Sequence, residues 1–82
     1  MPHENIREEI TTLLIQITGE DELADYPDVD LFEEEALDSL GAIEVLVALK
    51  QNFGVSIAPT ELEREEMNTL NKIIERVQER LA

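Results

Sequence analysis

Few residues of this chain could do chemistry: the pair Asp38-Ser39, an acidic run containing Asp25, Asp28 and Asp30, and a single histidine, His3. A serine nucleophile needs a base within hydrogen-bond reach. Ser39 has no histidine or lysine near it in sequence, and His3 lies at a terminus expected to fray. Autonomous hydrolysis is therefore disfavoured. With no cysteine and one histidine, the chain cannot assemble a thiolate or histidine zinc site. Read as a calcium loop starting at Asp28, the acidic run puts Asp30 at the third position. It then puts Phe32 at the fifth, Glu33 where glycine is required and Ser39 where a glutamate should close the loop. The match fails at the positions that matter, and a solvated acidic loop is the better account.

Ser39 remains. It sits where a helix N-cap belongs, and a serine or aspartate before a helix is ordinarily a cap. A cap, however, needs no apolar stripe beside it, no helix apolar on two faces and no long acidic approach loop. A hydroxyl at a helix N-terminus also suits a covalently attached phosphate, because free N–H groups and the positive end of the dipole stabilise its charge. A carboxylate beside it, Asp38, could help hold a divalent metal while a separate enzyme attaches the group. Ser39 would then be a modification site on a chain that catalyses nothing itself.

The elements that must position this pair follow from periodicity. A first helix is expected over about residues 3–18, with Ile6, Ile10, Leu13, Leu14 and Ile17 on one face and Gly19 as its stop. Residues 20–38 form a long connection broken by Pro27, with room for a short helical turn near Leu23. So long a loop needs anchors, and Leu23, Tyr26, Val29, Leu31, Phe32 and Leu37 can supply them. A second helix runs over 39–53 and ends at Gly54. Its Ala42, Val45, Leu46, Leu49 and Phe53 make a core seam, while Leu40, Ile43 and Val47 make a second stripe that continues to Lys50. One small core cannot take both stripes, so the second is a candidate docking surface. Val55-Ser56-Ile57-Ala58 alternates like a strand but has no partner strand and reads as linker. Pro59, with Thr60, Glu61 and Glu63, opens a short helix anchored by Leu62 and Met67. A last helix capped by Asn68 or Thr69 buries Leu70, Ile73, Ile74, Val77 and Leu81. The expectation is an all-α bundle of three main helices and a short third one, forming a single domain over 1–82.

Composition sets the remaining bounds. Twenty Asp and Glu against six Lys and Arg give a net charge of −14, which disfavours nucleic acid and anionic membrane surfaces and favours partners with basic patches. Residues of apolar type make up 43 % of the chain and recur with helical period, which argues against disorder. No apolar run is long enough to span a bilayer, and residues 1–5 lack the features of a signal peptide. A monomer in the cytoplasm is expected.

These residues resemble the acyl carrier protein superfamily. Asp38-Ser39-Leu40 is similar to its Asp-Ser-Leu signature, and the helix order matches over essentially the whole chain. Within the superfamily the likeness is to D-alanyl carrier proteins. Tyr26-Pro27-Asp28-Val29-Asp30-Leu31-Phe32-Glu33-Glu34, Leu37-Asp38-Ser39-Leu40-Gly41 with Ile43-Glu44-Val45-Leu46, and Glu61-Leu62-Glu63-Arg64-Glu65-Glu66-Met67-Asn68-Thr69 carry it. Gly41 stands where fatty-acid carriers usually have an acid, and Lys50-Gln51-Asn52 departs from their acidic run.

The resemblance implies an acyl-carrier-like helical bundle with a 4'-phosphopantetheine arm on Ser39, Asp38 positioning the magnesium of a phosphopantetheinyl transferase. It implies that a D-alanine ligase loads the arm's thiol using ATP, and that membrane machinery takes the D-alanine for esterification of (lipo)teichoic acid. Leu40, Gly41, Ile43, Glu44 and Val47 would be the partner-docking residues. A fatty-acid or polyketide carrier, and an unmodified acidic adaptor using the same stripe, are the competing readings.

Overall fold

The structure, a computed structural model, describes residues 5–81, so His3 and Glu4, the expected start of helix one, lie outside it, and within it the helix begins at Ile6 because Asn5 takes the non-helical cap position. Three α-helices, α1 (Ile6–Thr18), α2 (Ser39–Phe53) and α3 (Leu70–Leu81), are joined by segments that hold only single 3-10 turns, at Leu23–Asp25 and Arg64–Glu66. No strand occurs among the described residues.

Local chemistry sets each boundary. Asn5 caps α1, its side-chain oxygen accepting from Glu8 N–H at 3.3 Å. Gly19 and Gly54 end α1 and α2 in the left-handed region, at φ 78° and 69°, which a side chain would resist. Thr11, a weak helix former, is buried, and its hydroxyl donates to the Arg7 carbonyl at 2.6 Å. Thr69 Oγ1 accepts from Lys72 N–H at 3.1 Å and so fixes the start of α3.

The core takes Ile10 and Leu14 from α1, Val45 and Leu49 from α2, and Leu70, Ile73 and Val77 from α3. Each fully buried side chain of this size contributes about 1.5–3 kcal/mol relative to exposure. The segment after α2 adds Val55, Ile57 and Met67. Its two-residue alternation therefore marks a chain that lays every second side chain on the core without joining a sheet. Ile15 and Ile17 are half-buried at the edge of that core, and Leu81 is exposed at the end of the α3 seam.

Residues 20–38 are held by their own polar groups as much as by apolar anchors. Leu23, Leu31 and Leu37 are buried, whereas Tyr26, expected to pack inward, is 54 % exposed. Leu31 N–H donates to the Asn68 carbonyl at 2.7 Å, and Asn71 N–H to the Pro27 carbonyl at 3.0 Å. Asp30 Oδ1 accepts from Phe32 and Glu33 N–H, both at 3.0 Å, while its Oδ2 accepts from Asn68 Nδ2 at 2.7 Å. Asp28 accepts from Asn71 Nδ2 at 2.8 Å, and Asn71 Oδ1 in turn accepts from Arg7 at 2.7 Å. These bonds tie the loop to both α1 and α3. The expected short third helix is likewise reduced. Ala58 N–H donates to the Glu61 carboxylate at 2.7 Å and Glu61 N–H to the Ala58 carbonyl at 2.9 Å, which closes a turn right after Pro59. Glu63 then runs extended, so only the 3-10 turn after it forms.

Candidate functional site

The start of α2 corrects one expectation. The N-cap is Asp38, not Ser39: its backbone is extended, at φ −121° and ψ −171°, and its Oδ1 accepts from Gly41 N–H at 2.7 Å. Both residues are good caps, and the extended backbone selects the aspartate. Ser39 therefore occupies the first helical position, where its side chain has no capping duty. It is exposed, and its hydroxyl takes no hydrogen bond among the described residues. The structural reason for a serine here is gone.

Around that hydroxyl the geometry suits an attached phosphate. The first intrahelical bond runs from Ala42 N–H to the Asp38 carbonyl at 2.8 Å. Asp38 satisfies Gly41, which leaves the N–H groups of Ser39 and Leu40 without an acceptor among the described residues. Donors of this kind, at the positive end of a 15-residue helix, favour an anion. The second oxygen of Asp38 accepts nothing among the described residues. The described residues contain no group of three or more His, Asp or Glu that could hold a metal ion.

Gly41, placed at this site by sequence, is half-buried rather than presented to solvent. A Cβ there would lie 3.1 Å from Leu37 Cδ2 and 3.3 Å from Asp38 Oδ1, so the glycine lets Leu37 and the cap close over the first turn. Beyond it the two stripes of α2 separate as expected. Val45, Leu46, Leu49 and Phe53 are buried, whereas Leu40, Ile43 and Val47 are 67 %, 44 % and 50 % exposed. Glu44 is exposed beside them. At 3.6 residues per turn Ser39, Ile43 and Lys50 fall within about 40° of one another, so the stripe leads along the helix away from the hydroxyl.

One feature of this face escaped the sequence reading. An open groove of about 590 Å³ runs between α2 and the segment that follows it, lined by Ile43, Leu46, Val47, Lys50, Gln51, Ser56, Ile57 and Pro59. The alternation of Val55, Ser56 and Ile57 was its signal, since turning Val55 and Ile57 inward leaves Ser56 to the surface.

The chain matches the family described as "Phosphopantetheine attachment site" over residues 8–77. It is 45 % identical over 75 residues to the D-alanyl carrier protein of Lactococcus lactis subsp. cremoris (strain MG1363), covering 92 % of this chain and 95 % of the relative. The D-alanyl carrier proteins of Bacillus velezensis and Lacticaseibacillus rhamnosus are 38 % and 37 % identical, covering 89 % and 96 % of this chain and 94 % and 98 % of theirs. The chain belongs to the D-alanyl carrier protein family. Membership in a family of phosphopantetheine attachment sites makes a covalent 4'-phosphopantetheine its cofactor, and the spare hydroxyl with its unpaired N–H groups fits that group. No helix among the described residues is long and apolar enough to cross a membrane.

Proposed function

We propose that Ser39 bears the 4'-phosphopantetheine arm and that the chain carries D-alanine on it, from an ATP-using D-alanine ligase to membrane machinery that esterifies (lipo)teichoic acid. When bound, the arm supplies a thiol that holds the aminoacyl group as a thioester. The observation that carries the attachment point is the exposed Ser39 hydroxyl, unbonded at the first position of α2 while Asp38 does the capping. Ser39 Oγ supplies the oxygen of the phosphodiester, and the free N–H groups of the first turn steady its charge. Asp38 keeps one carboxylate oxygen for the magnesium of the phosphopantetheinyl transferase while the other holds the helix end. Leu40, Ile43, Glu44 and Val47 form the face that partners read, with Gly41 shaping the turn beneath it. The chain performs no catalysis: it offers a tether in the cytoplasm and the enzymes come to it.

The test is intact mass after incubation of the apo-chain with coenzyme A, magnesium and a promiscuous transferase. A gain of roughly 340 Da is expected for the arm, absent in Ser39→Ala, because the serine oxygen is the acceptor. No gain, or a gain that persists in Ser39→Ala, overturns the attachment site. Loading of the holo-chain by a D-alanine ligase in preference to a fatty-acyl ligase supports the cargo, and the reverse preference makes it a fatty-acyl carrier.

A further inference from the structure

The bases of this chain are few, and nearly all are engaged. Arg7 bonds Asn71, Arg64 stacks 4.5 Å over the Phe32 ring, and Lys72 Nζ donates to the Glu65 carbonyl at 2.9 Å. Arg76 pairs with Glu79 at 2.9 Å and Arg80 with Glu61 at 3.7 Å. The Lys50 side chain alone of the six has no partner of any kind among the described residues, in a chain with twenty acids. It is exposed on α2, whose only acid is Glu44. It lines the groove with Ile43 and Val47, about 16 Å along the helix axis from Ser39 at 1.5 Å per residue.

This unpaired positive charge stands at the end of the exposed apolar stripe, and its sign opposes that of the whole molecule. We propose that Lys50 pairs with a carboxylate on the rim of the loading enzyme's apolar receiving patch, and so sets the register in which that enzyme meets Ser39. The proposal rests on the reading of α2 as the face the ligase docks on, and it adds what that ligase must present: an apolar patch for Leu40, Ile43 and Val47, with an acid at its far end. A surface built to receive an acidic helix would present bases there and repel Lys50.

A lysine in the last turn also suits the helix dipole, so the experiment must separate docking from stability. Thioester formation is measured with D-alanine, ATP and a D-alanine ligase at varied concentrations of holo-chain, for the native chain, Lys50→Arg, Lys50→Gln and Lys50→Glu. Native-like KM is expected for Lys50→Arg, a rise of about threefold for Lys50→Gln and about tenfold or more for Lys50→Glu, with kcat unchanged and the differences shrinking as salt is raised. A native KM in Lys50→Glu, a loss confined to kcat, or a loss that follows the melting temperatures of the variants overturns the pairing and leaves the carrier reading standing. Failure of the native holo-chain to load overturns the D-alanine reading itself, and with it the enzyme named here.

Discussion

Residues 20–38 and the outward face of α2 exchange the roles that their compositions advertise. The loop holds nine of the twenty acids between Glu20 and Glu35 and looks like a binding surface. Its best-placed carboxylates are spent inside the molecule, Asp30 on two backbone N–H groups and Asn68, Asp28 on Asn71. Helix α2 is rich enough in apolar residues to look like pure core, yet it leaves Leu40, Ile43 and Val47 to solvent. The difference teaches that unmet capacity, rather than charge density, marks a functional surface. A carboxylate with its bonds made is structure, and the exposed Leu40, Ile43 and Val47 stripe beside an unbonded hydroxyl is where we propose the site.

The largest effect that could break this contrast lies within α2. Leu49→Ala should cost about 2–5 kcal/mol by leaving a cavity. Ile43→Ala and Val47→Ala should cost about 0.5 kcal/mol or less while weakening ligase binding. Urea unfolding with parallel loading assays checks both. Equal destabilisation by Leu49→Ala and Ile43→Ala would show that the outward stripe is core after all.

The contrast also explains what was legible in the sequence. The seam of α2, the capping glycines and the loop anchors Leu23, Leu31 and Leu37 could be read because helical period and local turn chemistry act over a few residues. Asp30 with Asn68 could not, because the partners are 38 residues apart and nothing local pairs them. Tyr26 was misplaced for a related reason: residue type says that burial is favourable, not which way a loop residue faces once distant partners fix the loop. The choice of cap between Asp38 and Ser39 turns on one pair of backbone angles that either residue type accepts. The turn after Pro59 was missed because the Glu61 side chain competes for the Ala58 N–H, a local alternative to helix that composition does not rank.

A smaller effect sharpens the division of labour at the head of α2. Asp38→Ala removes the cap and should cost about 1 kcal/mol, while Asp38→Asn caps nearly as well and should melt close to the native chain. Ser39→Ala should change stability by about 0.5 kcal/mol or less, since it removes no bond. If the carboxylate also serves the transferase's magnesium, Asp38→Asn slows modification without loosening the helix. Thermal melts set beside modification rates separate the two roles. A Ser39→Ala chain that melts well below Asp38→Ala would return the serine to a structural role.

The subtlest prediction tests whether the loop's acids are structure. The Glu33 N–H bond to Asp30, helped by Asn68, the Phe32 N–H and the charge of Lys72, holds the Asp30 carboxyl below its ordinary value. A carboxyl with its native pKa lowered binds its proton more readily in the unfolded chain, so its contribution is complete above the unfolded pKa of about 3.9. That contribution fades as pH falls from there through the lower native value. The difference in melting temperature between the native chain and Asp30→Asn should therefore stay constant from pH 7 to about pH 5 and narrow below about pH 4. Measuring the difference rather than the native curve removes the common effect of titrating the other acids, which both proteins share. A gap as wide at pH 3 as at pH 7 would mean that the charge of Asp30 does not hold the loop, and that the acidic run is a solvated surface as its composition alone implies.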